Sequence, residues 1–122
     1  MLTLYGIKSC DTVKRARQAL QAAGIDHHFH DFKTDGLSPA LAQRWLDQLG
    51  AETVINRRGT TWRKLSPAQQ AAADSAACAE LLAAQPSLVK RPVIDAAGEL
   101  RVGFAKRDEA EVMDWLRTRA AH

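Results

Sequence analysis

Apolar and polar positions change period several times along the chain, and each change marks an element. Leu2 to Tyr5 alternates over a short β-favouring run, after which Gly6 and the Lys8-Ser9-Cys10-Asp11 stretch read as a loop. From Thr12 the apolar positions Val13, Ala16, Leu20 and Ala23 recur at helical spacing, and Gly24 stands where a helix closes in a left-handed turn. This predicts a first helix over 11–23. Ile25 to Phe32 is β-like again, with Phe29 and Phe32 available to a core, so strand, helix and strand follow within about 30 residues, the length of a parallel βαβ crossover.

The middle of the chain has helical texture. Ser38-Pro39 sets a capping hydroxyl before a proline at the first helical position, and Leu41, Trp45, Leu46 and Leu49 form an apolar stripe ending at Gly50. Ser66-Pro67-Ala68-Gln69 repeats that start signal with a glutamine three residues on. The Ala-rich run Ala76 to Ala84 carries Cys78, Leu81 and Leu82 on one face, so 37–88 reads as a mainly helical block. Pro86 breaks it. Pro92-Val93-Ile94-Asp95 then reads as a strand, Ala97-Gly98 as a turn and Leu100-Arg101-Val102-Gly103 as a returning strand. Asp108 caps a last helix, with Glu109 and Glu111 in its first turn, Val112, Trp115 and Leu116 as its apolar face, and Arg117 and Arg119 at its end. The order βαβ, helical block, ββα implies an α/β protein with a mixed four-stranded sheet flanked by helices.

At 122 residues, 46% hydrophobic and 25% charged, the chain suits one globular domain over 1–122, with the helical block as an insertion at about 37–88. No apolar run reaches the ~18 residues of a membrane span, and Met1-Leu2-Thr3-Leu4-Tyr5 lacks the basic start of a signal peptide, so the expected location is the cytoplasm. The formal charge of +3 is spread through the sequence, which fits a basic pocket for a small anion as well as a nucleic-acid surface.

The chemistry is concentrated at Cys10. It follows a strand and opens a helix, where unpaired backbone N–H groups and the positive end of the helix dipole favour an anion such as a thiolate. Lys8, Lys14 and Arg15 push the same way. The alternative, a buried structural cysteine, fits poorly with a loop of Lys, Ser and Asp. A two-cysteine redox motif would need cysteine where Val13 stands, and a phosphatase-type loop would need arginine where Ala16 stands. Any disulfide of Cys10 therefore involves glutathione, a partner protein or Cys78. Cys78 itself, on an Ala- and Leu-rich face, reads as core filling. Arg57, Arg58, Arg63, Lys64, Lys90 and Arg91 supply guanidinium and ammonium groups that could hold a carboxylate or oxyanion if the fold gathers two or three of them. His27, His28 and His30 lack an acidic or cysteine ligand at suitable spacing, so no metal site is expected.

Three segments in order carry a family likeness over essentially the whole chain: Tyr5-Gly6-Ile7-Lys8-Ser9-Cys10-Asp11-Thr12-Val13-Lys14, Arg57-Arg58-Gly59-Thr60-Thr61-Trp62-Arg63-Lys64-Leu65 and Lys90-Arg91-Pro92-Val93. Together they resemble the arsenate reductase (ArsC)-related family, in its YffB-like branch; the redox-responsive regulator Spx belongs to the same wider family. The resemblance implies a thioredoxin-like fold with a helical insertion and a cis proline at Pro92 facing Cys10. It implies that Cys10 is the catalytic cysteine, that Arg57 and Arg91 match two oxyanion arginines, and that Lys8, Ser9, Asp11, Thr12 and Pro92 border the substrate. Phe104 stands in place of the third arginine, with Lys106 or Arg107 as possible substitutes. For the YffB-like branch the implied activity is glutathione-dependent thiol reduction, with glutathione as co-substrate, no bound cofactor and glutaredoxin as a possible partner. The alternatives are an Spx-like regulator that binds RNA polymerase, from which Val13 departs by replacing the second cysteine, and glutaredoxin-coupled arsenate reduction. Direct contact with nucleic acid or membrane is not expected.

Overall fold

The computed structural model describes residues 2–120. The chain divides into two compact units, one holding the segment up to Thr34 together with Arg91 onward, the other holding Asp35–Lys90.

The first unit is built on a four-stranded sheet of order β2-β1-β3-β4, from Leu2–Gly6, His28–Asp31, Val93–Ala96 and Glu99–Val102 numbered in chain order. β1 pairs parallel to β2 and antiparallel to β3, and β3 pairs antiparallel to β4, so the sheet is mixed. The period of two in β1 sends Leu2 and Leu4 to one face, where their partners Ala96 and Ile94 also lie. That face is covered by α1 (Asp11–Ala22) through Val13, Ala16 and Leu20 and by α8 (Glu109–Ala120) through Val112, Met113 and Leu116, with Phe104 closing the cluster. The β3–β4 hairpin turns on Ala97 and Gly98, both at positive φ, and the Asp95 carboxylate accepts from the Gly98 N–H at 2.8 Å.

In the second unit the longest helix is α3 (Pro39–Leu49), after the short α2 (Phe32–Asp35) that bridges the division. Ser38 caps α3 by accepting from the Leu41 N–H, and Trp45 is fully buried beneath it. Short helices follow: α4 (Ala51–Val54), α5 (Thr60–Arg63), α6 (Pro67–Ala72) and α7 (Cys78–Ala84). At α6 the full capping box forms, Ser66 accepting from the Gln69 N–H and the Gln69 side chain accepting from the Ser66 N–H. A lone antiparallel bridge between Ile55 and Val89 ties the two ends of this region together.

Several boundaries move from their expected places. The second strand is His28–Asp31 rather than 25–32, because Ile25 is drawn into the core beneath the end of α1 and Phe32 already begins α2. The last helix starts at Glu109 after a 3₁₀ turn at Lys106–Asp108. No helix among the described residues is long and apolar enough to cross a membrane.

The end of β1 sits very close to α1. A Cβ built on Gly6 would lie 2.6 Å from Val13 Cγ2, and Val13 is completely buried. Gly6→Ala is therefore expected to destabilise the fold by about 1–3 kcal/mol through overpacking. Most of that loss should be recovered in Gly6→Ala/Val13→Ala measured against Val13→Ala alone, in a double-mutant cycle by urea unfolding. Equal losses in both backgrounds would contradict the contact.

Candidate active site

The parallel pairing of β1 with β2 requires a crossover, and α1 supplies it, which sets the Ile7–Cys10 loop at the carboxyl end of β1. Cys10 occupies the cap position of α1 with extended backbone, φ −80° and ψ 123°. Its N–H donates to the Ile7 carbonyl at 3.2 Å and its carbonyl accepts the Lys14 N–H at 2.9 Å, which closes the first helical turn. The thiol makes no capping hydrogen bond, so the first-turn N–H groups of α1 keep their donors free of an intrahelical acceptor. The side chain is half-buried, leaning on the edge of the core cluster with its remainder open.

Several of the expected site residues adjoin Cys10 in the chain or lie at the same end of the sheet. Lys8 and Ser9 form an exposed turn, Asp11 is exposed in the first turn of α1, and Thr12 is half-buried. The antiparallel register Tyr5–Val93, continued by one residue, sets Gly6 beside Pro92. Pro92 is buried, its bond from Arg91 is cis, and its carbonyl accepts the Gly103 N–H at 2.8 Å. Arg91, half-buried, thus stands at the same end of the sheet as the Cys10 loop.

Other cations are committed elsewhere. Arg15 does not serve the thiol as expected: its guanidinium donates to the Phe104 carbonyl at 2.8 Å, stacks 5.6 Å from the Phe104 ring and lies 3.6 Å from Glu109. The ring needs burial and the carbonyl needs a donor, and Arg15 satisfies both demands. Phe104 is only 1% exposed and belongs to the core, so the position that the resemblance assigns to a third arginine is filled by hydrocarbon. Lys106 and Arg107 are exposed in the 3₁₀ turn beyond it.

Arg57 lies in the second unit, where it donates to Asp74 at 3.1 Å and stacks 5.0 Å above the Trp62 ring. Asp74 and Trp62 carry no signal in the sequence for these roles; Asp74 is 17 residues away. Arg58, Arg63 and Lys64 are exposed. Among the described residues, no three His, Cys, Asp or Glu side chains stand together as a metal would need.

Cys78 is buried at the start of α7, on a cavity of about 640 Å³ that Arg57 and Asp74 also line. Burial pushes its thiol up from the ordinary value, Arg57 pulls it partly back, and Asp74 adds to the rise. A raised native pKa gives a stabilising contribution that is complete below the unfolded thiol's pKa of about 8.5 and is lost as pH rises through the native value. Cys78→Ala is therefore expected to flatten the fall of stability above about pH 8.5, measured by urea unfolding across pH. An unchanged alkaline slope would contradict it.

With that geometry in place, the chain can be set beside known proteins. A YffB protein of known structure superimposes with TM-score 0.83 at 45% identity, covering 91% of this chain and 97% of the other. An arsenate reductase (ArsC) related protein from Brucella melitensis superimposes with TM-score 0.74 at 45% identity, covering 92% and 93%. The global transcriptional regulator Spx of Streptococcus pyogenes is 29% identical over 118 residues, 95% of this chain and 85% of its own. The mixed four-stranded sheet of the present chain, with the Cys10 loop after β1 and Pro92 directly before β3, agrees with the match of residues 5–112 to the ArsC family model, and the chain belongs to the ArsC family.

Proposed function

We propose that this protein is a glutathione-dependent thiol reductase that works through Cys10 alone. The observation that carries the reading is a half-buried cysteine whose thiol caps nothing, set at the mouth of α1 with buried Val13 in place of a local resolving thiol. A thiol of this kind cannot close a disulfide within its own helix turn, so a thiol from elsewhere must release it, and glutathione is assigned that part.

The chemistry balances as two exchanges. The Cys10 thiolate attacks the glutathione sulfur of a mixed disulfide RS–SG; the Cys10–glutathione bond forms, the substrate S–S bond breaks, and RS⁻ leaves and takes up a proton. A second glutathione thiolate then attacks the Cys10-linked glutathione, so glutathione disulfide leaves and the Cys10 thiolate is restored. The substrate sulfur leaves as a thiol, the one incoming glutathione is oxidised, and it departs joined to the glutathionyl group of the substrate as glutathione disulfide. In both steps the reacting sulfur stands at the N-terminal end of α1, where the first-turn N–H groups have no intrahelical acceptor. Arg91 is assigned to a glutathione carboxylate, and Lys8, Ser9, Asp11, Thr12 and Pro92 border the approach to the sulfur.

The assay follows release of a thiol from its glutathione mixed disulfide with glutathione as reductant. Saturable release above the uncatalysed exchange supports the reading, and release equal to the uncatalysed rate overturns it. The likeness to Spx along 95% of the chain favours a second reading, a regulator that binds RNA polymerase. Capture of the polymerase that is equal for the native chain and for Cys10→Ser, with no catalysed exchange, selects that reading. Arsenate reduction is not proposed, because the core holds Phe104 where the third oxyanion arginine would stand.

A further inference from the structure

We infer that Arg15 is a positioning residue for exchange at Cys10: its guanidinium joins α1 to the chain leaving β4, and so holds the Cys10 end of α1 in register with the Pro92 segment that the proposed reaction sets beside the incoming disulfide. The inference rests on the proposed reductase reading and adds how the two sides of the sulfur's surroundings keep a fixed spacing.

The contacts form a closed circuit, and every member belongs to the first unit. The Ile7 carbonyl accepts the Cys10 N–H at 3.2 Å, and the Cys10 carbonyl accepts the Lys14 N–H at 2.9 Å, which starts α1. One residue further on, Arg15 Nη2 donates to the Phe104 carbonyl at 2.8 Å. The residue before it, Gly103, turns the chain out of β4 at φ +92° and donates its N–H to the Pro92 carbonyl at 2.8 Å. The register of β1 with β3, continued by one residue, sets Pro92 beside Gly6, and Gly6 leads back into the Ile7–Cys10 loop. Every link but Arg15 is made by backbone atoms, so Arg15 is the one that a substitution can open.

The surroundings suit Arg15 to holding rather than to acting on the sulfur. Residues five apart on a helix do not share a face, so the guanidinium is not presented to the thiol. Its planar fork serves several groups at once: the Phe104 carbonyl, the Phe104 ring 5.6 Å away and, at 3.6 Å, Glu109 in the first turn of α8. Phe104 is 1% exposed within the core cluster, which makes its backbone a fixed anchor. A lysine would keep the charge but not the forked and stacked set of contacts.

The test compares two reactions of Cys10 in the full-length native chain, Arg15→Gln and Arg15→Lys. One is exchange with a glutathione mixed disulfide, which has to be accommodated beside Pro92. The other is alkylation by iodoacetamide across pH, in which the thiolate displaces iodide and needs only an accessible sulfur. Arg15→Gln should lower kcat/KM for exchange by roughly two- to thirtyfold, the range for residues that couple through packed contacts, and leave the rate and pH midpoint of alkylation as in the native chain. Arg15→Lys should lose exchange by a smaller factor, and it carries the same comparison if Arg15→Gln does not fold. Equal exchange in all three proteins overturns the inference. So does a loss of exchange matched by an equal loss of alkylation, which marks general disruption, or an alkylation midpoint raised by Arg15→Gln and restored by Arg15→Lys, which marks an effect of charge on the thiolate. If the native chain catalyses exchange and the substitutions are silent, only the role of Arg15 fails; if the native chain catalyses none, the reductase reading fails and this role with it.

Discussion

Cys10→Ser is expected to bring glutathione-dependent exchange down to the uncatalysed rate while leaving the fold as stable as before, or slightly more so. The two halves of this expectation have different physical origins. Serine has almost no alkoxide at neutral pH and cannot attack a disulfide sulfur as a thiolate does, so the covalent intermediate is lost. As a cap, however, serine improves on cysteine. The extended backbone at position 10 is the conformation that a cap residue needs, and its thiol now accepts nothing from the helix. A hydroxyl there can accept from a first-turn N–H, which gives between zero and about 1 kcal/mol of added stability. Urea unfolding beside the exchange assay checks both halves. Cys78→Ala, which removes a buried thiol, should leave turnover intact. Retained exchange in Cys10→Ser would remove Cys10 from the mechanism.

The largest loss of stability is expected at Phe104. The ring is 1% exposed, packs within the core cluster formed by β1, β3, α1 and α8, and carries the Arg15 guanidinium 5.6 Å from its centre. Phe104→Ala is expected to cost about 3–5 kcal/mol, the range for deleting a buried aromatic side chain. That is a large part of the roughly 5–15 kcal/mol that holds a domain folded, and it should lower the unfolding midpoint by on the order of 10–20 °C. The Arg15 hydrogen bond goes to the backbone carbonyl and survives the substitution, so the loss is one of packing. Phe104→Arg should be no better tolerated, because a guanidinium would have to be buried among hydrocarbon side chains. Calorimetry and urea unfolding measure the loss; a cost under about 1 kcal/mol would show that Phe104 is not a core residue.

The sheet was legible because its signals are local. Alternation in Leu2 to Tyr5, helical spacing from Val13 to Leu20 and the Ala97-Gly98 turn each fix an element without reference to the rest, and the mixed four-stranded sheet follows from their order. The Ser38 and Ser66 caps were legible for the same reason. The short helices α4 and α5 and the Ile55–Val89 bridge were not, since a four-residue helix has no period to display and a bridge between distant residues leaves no local trace.

At the site, the sequence placed Cys10 at the helix mouth because a strand, a loop and a helix start can be counted in order. It assigned Arg15 to the thiol by proximity along the chain alone. Residues five apart on a helix do not share a face, and Arg15 turns to Phe104 and Glu109, 89 and 94 positions further on. The cis bond before Pro92 came from the family likeness and not from the chain's own pattern, in which nothing distinguishes the two isomers.

The sulfur at the mouth of α1 is proposed to be the one that exchanges with glutathione. Mass spectrometry of the intact protein and its peptides after exposure to oxidised glutathione locates the adduct. One glutathione per chain is expected, on the peptide that contains Cys10, removed by dithiothreitol and absent from Cys10→Ser. An adduct mapped to Cys78, or a chain that remains unmodified, would contradict it.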